Sequence, residues 1–312
     1  MQATNTPMNN NNNAKRRPVT KSITQGRKRF NHAIEIKDFS KQNLIFDYLN
    51  HHEKADKAGR TIKYATCNLW IENPIDKTVG ACMFELPRLY CYGVSTFADE
   101  TGISRSLTIC LGPRDGPDDT CNMLIDKFNQ FGDAYINMLS ANREGLNLYK
   151  DEDLARKKLL FMPMYKWKSD RGQNIGSPTL KLKLWESLYD QAGNRLPEPT
   201  LYTTFYDGLS FEPNGQYKEI SISELMPKEG ERQIPFYVRP TIRVMSAFIG
   251  GSICNYKVVV KEAVVFRTSF KQNKLMAKPK AEDLEFAKSI REQAGDAGHV
   301  SPVADWNDPH DD

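Results

Sequence analysis

Residues 178–185 read PTLKLKLW. In an extended strand successive side chains point to opposite faces, so Leu180, Leu182 and Leu184 fall on one side and Thr179, Lys181, Lys183 and Trp185 on the other. The apolar side meets a core, and the opposite side presents two ammonium groups and an indole. Single-stranded nucleic acid needs that mixture: cations follow the phosphates, and bases stack on flat rings at roughly 1–3 kcal/mol each. The bland alternative is a solvated outer face whose Trp covers a neighbouring element.

The combination recurs along the chain. MYKWKSDRG (164–172) offers Tyr165, Lys166, Trp167, Lys168 and Arg171, with alternation separating the rings from the lysines. VRPTIRV (238–244) sets Arg239, Thr241 and Arg243 against Ile242 and Val244. TIKYATCNLW (61–70) places Tyr64 and Trp70 on one parity, and RLYCYG (88–93) does the same for Tyr90 and Tyr92. Arg or Lys beside aromatics on several strands is the footprint of a nucleic-acid-binding face.

Around these segments the chain reads as a β-rich α+β fold. The spacing predicts a helix over 40–57, with Leu44, Tyr48 and Phe46 or Leu49 buried and Gly59 after its end. Strands follow in TIKYATCNLWIEN, in VGACMFELPRLYCYGV with a break at Pro87, and in SRSLTICL. Asp118 and Asp119 then start an amphipathic helix in which Leu124, Phe128, Phe131, Tyr135 and Met138 recur at three- and four-residue steps. Later strands are expected in LLFMPMYKWK, SPTLKLKLWESLYD, TLYTTFYD, PFYVRPTIRVMSAFI and SICNYKVVVKEAVVFRTSF. Gly250 and Gly251 between the last two suit a tight turn with positive φ. AEDLEFAKSIREQAG (281–295) reads as a polar helix. The strand–helix–strand order is compatible with an oligonucleotide-binding (OB) barrel of five strands, enlarged by an amphipathic helix and extra strands.

The ends carry opposite charge. Residues 1–31 hold an Asn run and Lys15, Arg16, Arg17, Lys21, Arg27, Lys28 and Arg29 without one acid, and are expected to be a disordered basic arm. Its two clusters fit a bipartite nuclear-import pattern and equally a phosphate-binding arm. The domain proper is expected over 32–275, followed over 276–312 by a linker, the polar helix and an acidic tail. SPVADWNDPHDD (301–312) carries Asp305, Asp308, Asp311 and Asp312 around Trp306. A detachable negative segment with one ring can compete for the cationic face or dock on a partner.

The six cysteines show no paired metal-ligand spacing and are expected to be buried thiols. No apolar run reaches the roughly 18–20 residues of a membrane helix, and no signal-peptide core is present, which points to an intracellular protein. Phosphate-binding loops, nucleophile elbows and zinc-hydrolase motifs are missing, so neither catalysis nor a cofactor or metal is expected. The acidic clusters Asp115, Asp118, Asp119 and Asp151, Glu152, Asp153 admit a carboxylate-dependent nuclease, but read better as helix starts.

The strand-rich basic core with an aromatic-bearing acidic tail resembles replicative single-stranded DNA-binding proteins. Over its whole length the chain is also similar to the OB-fold single-stranded DNA-binding proteins of large cytoplasmic DNA viruses of the African swine fever virus type. In the bacterial and phage proteins of that class the tail aromatic stands at the tip, whereas Trp306 is internal. The resemblance implies a non-enzymatic protein coating single-stranded DNA, or RNA, in viral replication, repair or recombination. It further implies host-cytoplasmic replication sites with a nuclear phase and virion packaging, replication or repair partners reached through the tail, and self-association. The competing reading is a structural nucleoprotein or scaffold that binds duplex DNA or RNA through the basic arm.

Overall fold

The computed structural model describes residues 26–55, 59–99, 102–113, 116–211, 215–227, 233–267 and 281–296. Strands dominate, as the sequence predicts. They are β1 (Arg29–Phe30), β2 (Ile34–Glu35), β3 (Leu44–Ala55), β4 (Thr61–Glu72), β5 (Val79–Ala81), β6 (Met83–Glu85), β7 (Leu89–Asp99) and β8 (Gly102–Cys110). Helices α1 (Asp119–Ala141) and α2 (Asp151–Leu159) come next. The chain resumes with β9 (Tyr165–Asp170), β10 (Gln173–Leu184), β11 (Glu186–Tyr189), β12 (Arg195–Leu201), β13 (Thr204–Phe211), β14 (Tyr217–Ile220), β15 (Phe236–Ile249) and β16 (Cys254–Phe266), and closes with α3 (Ala281–Asp296). No helix among the described residues is long and apolar enough to cross a membrane.

Among the described residues, most strands join one 14-stranded sheet whose path runs from β1 to β14, with β15 also paired to β16. The ladder is longer than five strands: β1–β6 and β13–β14 extend it on either side, as the extra strands the sequence leads one to expect. Within the sheet, β15 pairs antiparallel with both β7 and β16, β7 with β8, and β8 with β10, while β10 lies parallel to β16. Helix α1 packs on this array with Leu124, Phe128, Phe131, Tyr135 and Met138 buried, as their spacing predicts. The Tyr135 hydroxyl donates to the Phe248 carbonyl at 2.7 Å, and the Tyr256 hydroxyl to the Phe131 carbonyl at 2.7 Å, tying helix to sheet where water is excluded. All six cysteines are free and buried.

Several expectations are corrected. Residues 44–55 form β3, not a helix: the strand pairs with β4 from Leu44 opposite Ile71 to Ala55 opposite Thr61. Leu44, Phe46 and Tyr48 stand two apart as well as within a helical turn, and the neighbouring strand selects the period of two. LLFMPMYKWK is not one strand, since α2 runs to Leu159 and β9 begins at Tyr165. Gly250 and Gly251 join β15 to β16 without positive φ. At Gly250 the requirement is space: a Cβ there would fall 2.8 Å from Phe248 Cε1. The arm is ordered at its end, where β1 pairs parallel with β5 and Arg27 meets Glu72 at 2.6 Å.

Candidate nucleic-acid interface

Strand β10 alternates as its sequence predicts. Leu180, Leu182 and Leu184 are buried, while Lys181 and Lys183 are exposed. Paired residues of neighbouring strands share a face, so register extends this surface across the sheet. Lys183 lies opposite Val259, and Val259 opposite Arg243. Ser246 lies between Lys257 and Asn68, and Phe248 between Asn255 and Thr66. A bulge at Met245, unpaired between Val244 and Ser246, keeps Arg243 and Ser246 on the same side. The face therefore continues from β10 through β16 and β15 to β4, where Tyr64, Thr66, Asn68 and Trp70 point outward.

β10 and β16 pair only at Lys183–Val259 and Leu184–Val260. Where they part, a cleft of about 750 Å³ opens, lined by Lys166, Lys181, Lys183, Trp185, Phe248 and Lys257 among others. Trp185 stands at its mouth with its backbone fixed from two sides. Its N–H donates to Thr203 Oγ1 at 2.7 Å, and its carbonyl accepts from Tyr202 N at 2.7 Å. Thr203 Oγ1 in turn donates to the Val260 carbonyl at 2.6 Å. The next residue, Glu186, is held by Arg105 through a backbone bond of 2.7 Å and an ion pair of 3.2 Å. The indole so anchored is faced by the Arg243 guanidinium at 5.2 Å and the Lys261 ammonium at 5.8 Å, with the Tyr202 ring 5.8 Å away. Among the described residues, no carboxylate forms an ion pair with Lys166, Lys181, Lys183, Lys257 or Arg243. A ring beside Arg243 and Lys261, the latter also paired with Glu262 at 3.4 Å, in a cleft lined by further lysines can stack a base and neutralise phosphates.

The other sequence candidates distribute as follows. Lys166 joins the cleft, Lys168 is exposed on the same parity, and Arg171 stands in the β9–β10 turn with φ 47°. Tyr165 and Trp167 face the other way, half-buried, and the Tyr165 hydroxyl donates to Asn129 Oδ1 of α1 at 2.9 Å. Burial pushes the Tyr165 hydroxyl pKa up. Trp70 lies farther along β4 with the Arg29 guanidinium 4.3 Å over its ring and its N–H donating to Asp47 at 3.2 Å. Lys28, between Arg27 and Arg29, accepts the Val79 N–H through its backbone carbonyl at 2.9 Å, which fixes this end of the arm against β5. Tyr90 packs on Tyr92 and on Tyr237 at the opposite end of the sheet, where Tyr237 meets Phe286 of α3. Burial raises the pKa of Tyr90 as well.

Arg239 is a correction. It has the predicted parity, but it is 6% exposed and ion-paired to Asp283, because α3 covers that end of the strand. Lys15, Arg16, Arg17 and the tail residues Asp305, Trp306, Asp308, Asp311 and Asp312 lie outside the described residues. Sequence reading missed Phe248, Lys257 and Lys261. The alternation of Asn255 and Lys257 with buried Cys254 and Tyr256 was the available signal.

The acidic clusters have structural roles. The Asp118 side chain accepts the Cys121 N–H at 2.7 Å as the cap of α1, and Asp119 stands in its first turn. Asp151, Glu152 and Asp153 form the first turn of α2, favourable to the helix dipole, while Asp115 lies outside the described residues. Among the described residues, no group of His, Cys, Asp or Glu is placed to hold a metal ion.

A family model described as protein of unknown function DUF2738 matches residues 38–298, most of the chain, and the chain belongs to that family. No curated protein matches it.

Proposed function

We propose that this DUF2738 member is a non-enzymatic protein that binds single-stranded nucleic acid, single-stranded DNA foremost, with little sequence preference. The carrying observation is the Trp185 station: an indole fastened by its own backbone, flanked by Arg243 and Lys261, at the mouth of a cleft rimmed by Lys166, Lys181, Lys183 and Lys257. Stacking supplies affinity without base readout, and the lysines supply a salt-dependent phosphate term.

The strand circuit supports an OB-type arrangement. β7, β8, β10, β16 and β15 pair in sequence and β15 returns to β7, and the outer surface of β8 and β10 is where such a fold receives oligonucleotides. Together with the resemblance to viral replicative proteins, this favours a role in coating single strands during DNA replication, repair or recombination. The test is a titration with oligothymidine, a duplex of equal length and single-stranded RNA across a salt series. Oligothymidine should quench Trp fluorescence and bind more tightly than the duplex, with affinity falling steeply as salt rises. Equal or tighter duplex binding would overturn the reading in favour of a scaffold.

A further inference from the structure

Phe248 lines the cleft, and its ring lies 5.3 Å from that of Tyr64 on the neighbouring strand. Across the β3–β4 pairing, His52 lies opposite Tyr64. There the His52 imidazole lies against Tyr64, with 4.8 Å between ring centres and 18° between planes. His52 Nε2 is held at 2.8 Å from Thr66 Oγ1.

We propose that the Tyr64–His52 pair is a further binding station for single-stranded nucleic acid, continuous with the first cleft, so that one strand passes from Trp185 over Phe248 to that pair. The inference rests on the function proposed above. Register carries it first: Thr66 lies opposite Phe248 on one side and Asn50 on the other, and Tyr64 lies opposite His52, so Phe248, Tyr64 and His52 share one face of the sheet. From β10 to β4 the path crosses three inter-strand steps, about 14 Å at the usual spacing, a length that a few nucleotides span. The rings supply platforms at both ends of that path and one between.

The test uses the full chain with oligothymidines of about 4 and about 12 residues, the span of site sizes known for such folds. In the His52→Ala, Tyr64→Ala variant the longer oligonucleotide should bind about tenfold more weakly and the shorter one as before. Trp185→Ala should weaken both. Tyr64→Phe, which keeps the ring, should bind like the parent. If the His52/Tyr64 variant binds both lengths as the parent does while Trp185→Ala weakens both, the Tyr64–His52 pair is not a site and the proposed function stands. Equal weakening of both lengths by the His52/Tyr64 variant also overturns the extension, since the pair would then belong to the first site. If Trp185→Ala changes neither length, the proposed function fails and this inference with it.

Discussion

Asp283 and Arg239 meet at 2.8 Å, carboxylate to guanidinium, with their side chains 1% and 6% exposed. The same carboxylate oxygen accepts the Tyr217 hydroxyl at 2.6 Å, and Arg88 lies 3.9 Å from the other oxygen with its guanidinium 3.4 Å over the Phe286 ring. One acidic residue of α3 thus neutralises a cation that the strand would otherwise present to solvent. Removing one partner of a buried pair strands the other charge, at about 3–5 kcal/mol. Asp283→Ala should lower stability by that amount in urea denaturation. Replacing both partners, Asp283→Leu with Arg239→Met, should recover most of the loss.

The cleft cations make a separable prediction. Lys183→Ala and Arg243→Ala should each lower affinity for oligothymidine and reduce the slope of log affinity against log salt by about 0.7 for each phosphate no longer neutralised. Trp185→Ala should cost about 1–3 kcal/mol at every salt concentration, because stacking is not a counterion effect. Tyr165→Phe should bind like the parent, its hydroxyl being engaged with Asn129 under α1.

The contrast between Lys183 and Arg239 shows how much was legible. Alternation in PTLKLKLW assigns the faces correctly, because leucine and lysine report the two environments of a half-buried strand directly. Arg239 obeys the same parity, yet what covers it is Asp283, forty-four positions later, on a helix that local pattern cannot place. Residues 44–55 failed for a related reason, since their apolar positions suit both periods and pairing with β4 decides between them. The Tyr64–Phe248 contact was invisible because it needs the β4–β15 register to bring the two rings together.

The buried thiols give a pH prediction. Burial, with a further push from the Asp47 carboxylate, raises Cys67 from its ordinary 9.0 to about 12, and burial raises Cys91 to about 12. Above pH 9 the unfolded chain releases protons that the native protein keeps, so native stability falls as pH rises through 9 towards 12. The loss should approach about 1.4 kcal/mol per pH unit for each thiol. Urea midpoints at pH 8 and pH 10.5 measure it, and a Cys67→Ala, Cys91→Ala variant should show a shallower decline. At pH 8 the native thiols should resist alkylation until the protein is denatured.

The chain ends test competition for the same face. Residues 297–312 contain Asp305, Asp308, Asp311 and Asp312 and no Lys or Arg, and they follow α3, which is seated on the sheet through Asp283 and Phe286. A polyanion tethered to the same chain as a cationic cleft competes with nucleic acid most where screening is weakest. Deleting 297–312 should therefore tighten oligothymidine binding several-fold at about 0.05 M salt and leave it nearly unchanged at about 0.5 M, where the Debye length is a few ångströms. Deleting 1–25 removes Lys15, Arg16, Arg17 and Lys21 but retains Arg27 at Glu72 and Arg29 over Trp70. Its loss should be smaller than that of a Lys181→Ala, Lys183→Ala, Arg243→Ala variant if the cleft is the principal site, and near-complete if the arm is. Unchanged affinity at low salt without the tail would remove competition and leave the tail to protein partners.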